Sequence, residues 1–228
     1  MNVSPMSLPV LRTRPRPVAL GIVFVLLLAA AIVGPAAAQE TPPVDRPASP
    51  RVEALSGDLN DARRDHLWRV AGWGGMNVAG GLALVLASRR DEQGARWAFG
   101  AMSAGWGAVN VGIAAVGLAT APAEAASAYG TALSAERNFH DILLLNLGLN
   151  VAYAGVGGTM LAAGYRDVSN AAEWRGFGTS LILQGAGLLV LDGVAFLASR
   201  TRLADLVGLA GELSATALPT GFRLALRF

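Results

Sequence analysis

Gly72-Trp73-Gly74-Gly75-Met76-Asn77-Val78-Ala79-Gly80 returns as Gly105-Trp106-Gly107-Ala108-Val109-Asn110-Val111-Gly112. Each copy lies inside a long uncharged stretch. Each sets a tryptophan four residues before an asparagine, a spacing that puts both side chains on one face of a helix. Two later apolar stretches carry a looser echo, Asn146-Leu147-Gly148-Leu149-Asn150 and Leu188-Leu189-Val190-Leu191-Asp192-Gly193. An amide or carboxylate in the middle of every apolar segment is the pattern the fold must accommodate.

Working outward, the apolar stretches run over about 67–88, 97–119, 142–163 and 176–199. A transmembrane helix needs about 20 apolar residues. Helices of a soluble bundle carry a polar outer stripe, and none of these four shows one. The sequence therefore predicts an all-α membrane protein, a four-transmembrane-helix up-down bundle. Trp68 and Arg89-Arg90 flank the first stretch as interfacial anchors. The short polar turn after it, Asp91 to Ala95, predicts antiparallel neighbours. Residues 122–140 are rich in small residues and read as a short surface helix before the third span.

The 228 residues are 53% hydrophobic and only 15% charged, against roughly a quarter charged in soluble domains. Mean hydropathy is +0.45. The net charge of +2 is too small to argue for nucleic acid. Cysteine is absent, which excludes disulfides, thiolate metal sites and cysteine nucleophiles.

At the N-terminus, Arg12, Arg14 and Arg16 precede an apolar run from Val18 to Val33, and Ala36-Ala37-Ala38 fits a small-x-small cleavage site. Residues 1–38 are expected to be a signal peptide, residues 39–66 a flexible linker and amphipathic helix, residues 67–199 the transmembrane domain, and residues 200–228 a tail. In the amphipathic segment Val52, Leu55, Leu59 and Ala62 recur at helical spacing. It reads either as a helix on the membrane surface or as an extension of the first span. The tail flanks Pro219-Thr220-Gly221 with two short runs, and the last alternates strictly from Phe222 to Phe228. Period two around a Pro/Gly turn predicts a short C-terminal β-hairpin. One hairpin cannot close an outer-membrane barrel, and the rest lacks ten-residue alternation. A cleaved signal places the protein in the bacterial inner membrane as a multi-pass chain, with N- and C-termini periplasmic.

The candidate binding residues form a polar mid-membrane layer: Asn77, Asn110, Asn146, Asn150, Gln184 and Asp192. Gly74, Gly75, Gly80, Gly81, Gly107, Gly112, Gly148, Gly155, Gly157 and Gly158 lie near them. Glycine lets membrane helices approach closely enough for side-chain amides to meet. An ionisable residue in a membrane is a functional hypothesis by default, so Asp192 stands out. The bland alternative is that these groups hold the bundle in register. His66 and His140 each precede a span. As a pair on two helices they are candidate haem ligands; as interfacial histidines they need no cofactor. No catalytic motif is present, whether nucleophile elbow, P-loop or dinucleotide fingerprint. No metal centre or cofactor is expected.

Met76-Asn77, Phe99 to Asn110, Leu145 to Tyr153 and Leu183 to Asp192 resemble an uncharacterised family of bacterial four-helix membrane proteins, a domain of unknown function. The resemblance covers about residues 63–199. At the position of Asn150 the family is associated with aspartate, so an obligate carboxylate there is not implied. The resemblance implies architecture and no activity.

Three functions fit these readings. One is a structural or interaction protein of the cell envelope, with the bilayer and a protein partner or a second copy meeting the hairpin. Another is a small transporter or permeation subunit using the mid-membrane Asn/Asp site. The third is a haem or redox membrane protein. Nothing observed requires catalysis.

Overall fold

A computed structural model describes residues 48–214. They form four helices, α1 (Pro50–Leu86), α2 (Gly94–Ala119), α3 (Tyr129–Ala163) and α4 (Ala171–Ser214). Ser49 caps α1, its hydroxyl accepting from the Val52 amide at 3.4 Å. Pro50 follows in the first turn, where a missing N–H costs nothing. α1 stops at Leu86, where the Ala87 amide returns to the Ala83 carbonyl and the polar run from Ser88 begins.

The helices pack as two antiparallel pairs, α1 with α2 and α3 with α4. Glycine sets both contacts. A Cβ at Gly107 would lie 2.5 Å from the Gly74 carbonyl, and one at Gly74 would lie 2.7 Å from the Gly107 carbonyl. The two copies of the repeated phrase thus cross at their own glycines, back to back. Gly157 and Gly178 play the same part between α3 and α4, at 2.7 and 2.5 Å. Gly75, Gly80, Gly112, Gly148, Gly155 and Gly158 meet nothing within 4 Å. Only part of the expected glycine set therefore brings helices together. The pairs join mainly through α2 and α4, where Gly176 of α4 packs on the Ala95 backbone.

α1, α3 and α4 run on past the end of α2 and close a core of their own. Val52, Ala132, Leu133, Leu206 and Leu209 form one cluster. Leu59, Phe139 and Leu143 form the next. The segment 120–128 is tied over this end: Asn60 Nδ2 donates to the Glu124 carbonyl at 2.9 Å, and the Ala126 amide donates to Ser56 Oγ at 2.8 Å. At the opposite end Arg90 forms a two-bond pair with Glu173, at 2.9 and 3.0 Å, linking the α1–α2 turn to the start of α4. That hydrogen bonding raises the Arg90 guanidinium above the ordinary arginine value, while partial burial opposes it.

Three expectations change. Three helices, α2, α3 and α4, are long and apolar enough to cross a membrane, not four. α1 falls short because it ends at Leu86, so a span-length window reaches back to Arg69 and also takes in Asn77. The C-terminal β-hairpin is contradicted: Glu212 to Ser214, read as the start of its first strand, are the last residues of α4. No strand occurs among the described residues. Leu203, Leu206 and Leu209 keep helical spacing, and the helix runs through them to Ser214. The remainder of that hairpin, the signal peptide and most of the linker lie outside the described residues. Finally, the short surface helix of 122–140 is absent, because α3 starts at Tyr129 and continues unbroken to Ala163.

The outer faces are apolar. Val111, Val116, Leu144, Leu145, Val151, Val156, Val190, Val194 and Leu197 are all exposed. No more than 28% of any candidate span's apolar window is buried within the molecule. So large an exposed apolar surface on a soluble protein marks a binding or membrane-contact face.

Candidate functional site

The interior is polar along one line. Ser180, Gln184, Asp192, Ser199 and Arg202 follow one face of α4 at steps of four, eight, seven and three residues. At 1.5 Å per residue this line covers about 33 Å of helix. Ser180, Gln184 and Ser199 are fully buried, and Asp192 is 4% exposed. Buried polar groups need partners, and each of these finds one on another helix.

Near the α2 end Ser103 and Ser180 share a hydrogen bond of 2.8 Å. One turn on, Trp73 Nε1 donates to Gln184 Oε1 at 3.0 Å, and Gln184 Nε2 donates to Asn77 Oδ1 at 2.5 Å. Asn77 Nδ2 closes the circuit on the Trp73 carbonyl at 2.8 Å. An indole only donates, so it fixes which way the Gln184 amide turns.

The centre of the line is Asp192. Its Oδ2 accepts from Asn150 Nδ2 at 2.6 Å, and its Oδ1 lies 3.1 Å from His66 Nε2. His66 is 7% exposed and Asn150 3%. The Phe139 ring stands edge-on to the imidazole, with ring centres 6.2 Å apart. Three helices, α1, α3 and α4, thus meet through one carboxylate.

Farther along, Glu136 is fully buried. Arg202 grips it with Nε at 2.9 Å and a terminal nitrogen at 3.2 Å, and Ser199 donates to it at 2.5 Å. His140 Nδ1 lies 3.4 Å from Ser199 Oγ, and its ring stacks on Phe196. The Arg63 guanidinium lies 5.7 Å above the Phe139 ring. Burial lowers Arg63 below the ordinary arginine value, with Glu136 acting in the opposite sense. A buried charge with no partner is strongly destabilising, so the two-bond grip of Arg202 is what lets Glu136 sit there.

The expected polar layer is therefore a column. Asn77 meets Gln184, and Asn150 meets Asp192, which lies eight residues farther along α4. His66 is the α1 residue level with Asn150. Asn77 lies eleven residues farther along α1, about 16 Å of helix, so the two pairs cannot share one level. Asn146 is half-buried with no side-chain hydrogen bond among the described residues. Asn110 is 5% exposed, and among the described residues its Nδ2 has no partner; nor does Trp106 Nε1. The two histidines go to different partners, His66 to Asp192 and His140 to Ser199 and Phe196. No group of three or more metal-ligating side chains occurs among the described residues.

Sequence reasoning missed Glu136, Ser199, Arg202 and the partnership of His66 with Asp192. It put Glu136 on a surface helix and His66 at an interface. A signal was present for the first group. Glu136 and His140 are four apart, Ser199 and Arg202 three apart, so each pair shares a helix face.

The profile of one protein family, described as a family of unknown function (DUF6992), matches residues 69–193. That interval spans both copies of the repeated phrase and ends just past Asp192. No curated protein and no solved structure matches the chain.

Proposed function

The chain belongs to DUF6992, a family of unknown function, and on that premise we propose that it is a non-enzymatic, multi-pass protein of a bacterial inner membrane, structural or interaction-forming in role. The observation that carries this reading is the Asn150–Asp192–His66 junction. In it a buried acid is consumed by contacts to two other helices, as it would be in a scaffold. Three helices of membrane-crossing length and apolarity support the location. In this reading the α1–α2 and α3–α4 turns, with Arg89, Arg90, Arg96, Arg166 and Arg175, face the cytoplasm. Arg63, Arg64, Arg69, Arg200 and Arg202 lie on the other side, so the orientation rests on the expected signal peptide and not on the arginine count. The end closed by α1, α3 and α4 then projects on the other side and offers the surface for a protein partner.

One observation favours a second reading, a small permeation subunit. His66 and Asp192 are both ionisable, both buried and in direct contact, and groups of this kind recur in proton paths. A proteoliposome assay separates the two. With a pH-sensitive dye inside, the scaffold reading expects no proton flux above protein-free vesicles. Flux that disappears in Asp192→Asn would replace it with the permeation reading.

A further inference from the structure

The repeated phrase is used twice, and only one copy is satisfied. Gly74 and Gly107 face each other, and the surroundings match about that point. The Asn110 Cβ lies 3.0 Å from where a Gly74 Cβ would be, and the Asn77 Cβ lies 3.0 Å from where a Gly107 Cβ would be. The two Trp/Asn pairs therefore leave the α1–α2 contact in related ways, one toward α4 and the other toward α3. Toward α4, the carboxamide of Gln184 fills the space between Trp73 and Asn77. Toward α3, the indole of Trp106 and the Tyr153 ring form a T-shaped pair, with ring centres 4.8 Å apart. A phenol ring supplies no carbonyl. Among the described residues, Trp106 Nε1 and Asn110 Nδ2 are left as two donors without acceptors, on residues 8% and 5% exposed.

Each such orphan costs about 1–3 kcal/mol if nothing meets it. The satisfied copy shows what would meet it, a carbonyl oxygen. One carbonyl oxygen has two lone pairs and can accept from both donors. The group must be neutral, because α2 carries no charge from Trp97 to Ala119 to balance an anion, and an unbalanced charge is costly in an apolar setting. The group must also belong to an apolar molecule, since the exposed surfaces of α2 and α3 are apolar, Val116, Val151 and Val156 among them. Entry is open to it. α2 and α3 make no close backbone approach among the described residues, and Tyr153 is only half-buried. A ring that turns aside would uncover the Trp106 indole, one turn from Asn110, with no movement of helix backbone.

We infer that Trp106 and Asn110 form a binding site for the carbonyl oxygen of a lipid-soluble molecule, with Tyr153 as its movable cover. Such a carbonyl comes from the ester of a membrane lipid or from a free lipid-soluble ketone or quinone. The site rests on the membrane reading of the proposed function and goes beyond it, because a scaffold needs no ligand.

The test uses the full chain, labelled with nitrogen-15, in nanodiscs of three kinds. The first contains diether lipid, which has no carbonyl. The second contains the matching diester lipid. The third is the diether disc with an alkyl-substituted benzoquinone added. The five tryptophans give separable indole N–H signals, and Trp106→Phe identifies one of them. The Trp106 signal moves downfield in diester discs if the lipid ester is the occupant, or on quinone titration if a free carbonyl is. The Trp73 signal, already bonded to Gln184, holds still in both. Asn110→Leu removes one of two neutral hydrogen bonds and weakens the response by about fivefold. An unmoved Trp106 signal in all three discs overturns the site, as does an equal response in Asn110→Leu. Failure to enter nanodiscs would instead overturn the membrane reading, so the two failures are distinguishable.

Discussion

Asp192 is the residue on which most depends. Its two oxygens serve Asn150 and His66 separately, so an apolar replacement strands two buried groups at once. Asp192→Leu is expected to destabilise the protein by on the order of 2–4 kcal/mol. Asp192→Asn keeps one acceptor and should cost about half as much by the same reasoning. Reversible unfolding in mild detergent, followed by helical circular dichroism, checks both; equal losses, or none, would mean the junction does not bear on stability. Asp192 was legible in the sequence because an acid stands out in an apolar run. Its partner was not. His66 sits between Asp65 and Trp68-Arg69, a context that reads as interfacial. Only the unbroken course of α1 turns the imidazole inward while its neighbours face out. Glu136 was hidden for the same reason, since an acid next to Arg137 in a polar stretch carries no mark of Arg202, the arginine that meets it.

At the level of the helices, glycine placement decides how closely the pairs pack. Gly107→Ala puts a Cβ 2.5 Å from the Gly74 carbonyl, and backbone cannot yield as a side chain can. Overpacking of this kind costs typically 1–3 kcal/mol. Gly112→Ala on the same helix meets nothing within 4 Å and should be neutral or slightly stabilising, since alanine favours helix by up to about 1 kcal/mol. Thermal unfolding of the two variants side by side should separate them clearly; equal behaviour would mean α1 and α2 do not touch there. The sequence showed a wealth of glycines but not which face each occupied, because the phrase has glycine on several sides of the helix. Helix boundaries were blurred by a related effect. Small residues and occasional charges over 122–140 looked like a break, yet alanine and the spacing of Leu133 and Phe139 carry α3 straight through. The hairpin reading failed where Glu212 to Ser214 continue α4.

Across the whole molecule, the apolar outside and the paired polar inside are two halves of one design. The outside was plain from composition: long uncharged runs have nowhere to go but lipid or a partner. The inside was legible only as a list of residue types. Which amide meets which acid depends on helix offset, and no spacing in the sequence reports that Asn77 meets α4 at Gln184 while His66 and Asn150 meet it at Asp192. The absence of cysteine makes the central claim directly measurable. Single cysteines at Asn150 and at the exposed Val190 and Val194 are each treated, in membranes, with a water-soluble maleimide and with a lipid-soluble one. The account predicts that the lipid-soluble reagent marks positions 190 and 194, while position 150 resists both reagents until the protein is unfolded. Rapid labelling of position 150 by the water-soluble reagent in the folded protein would contradict it.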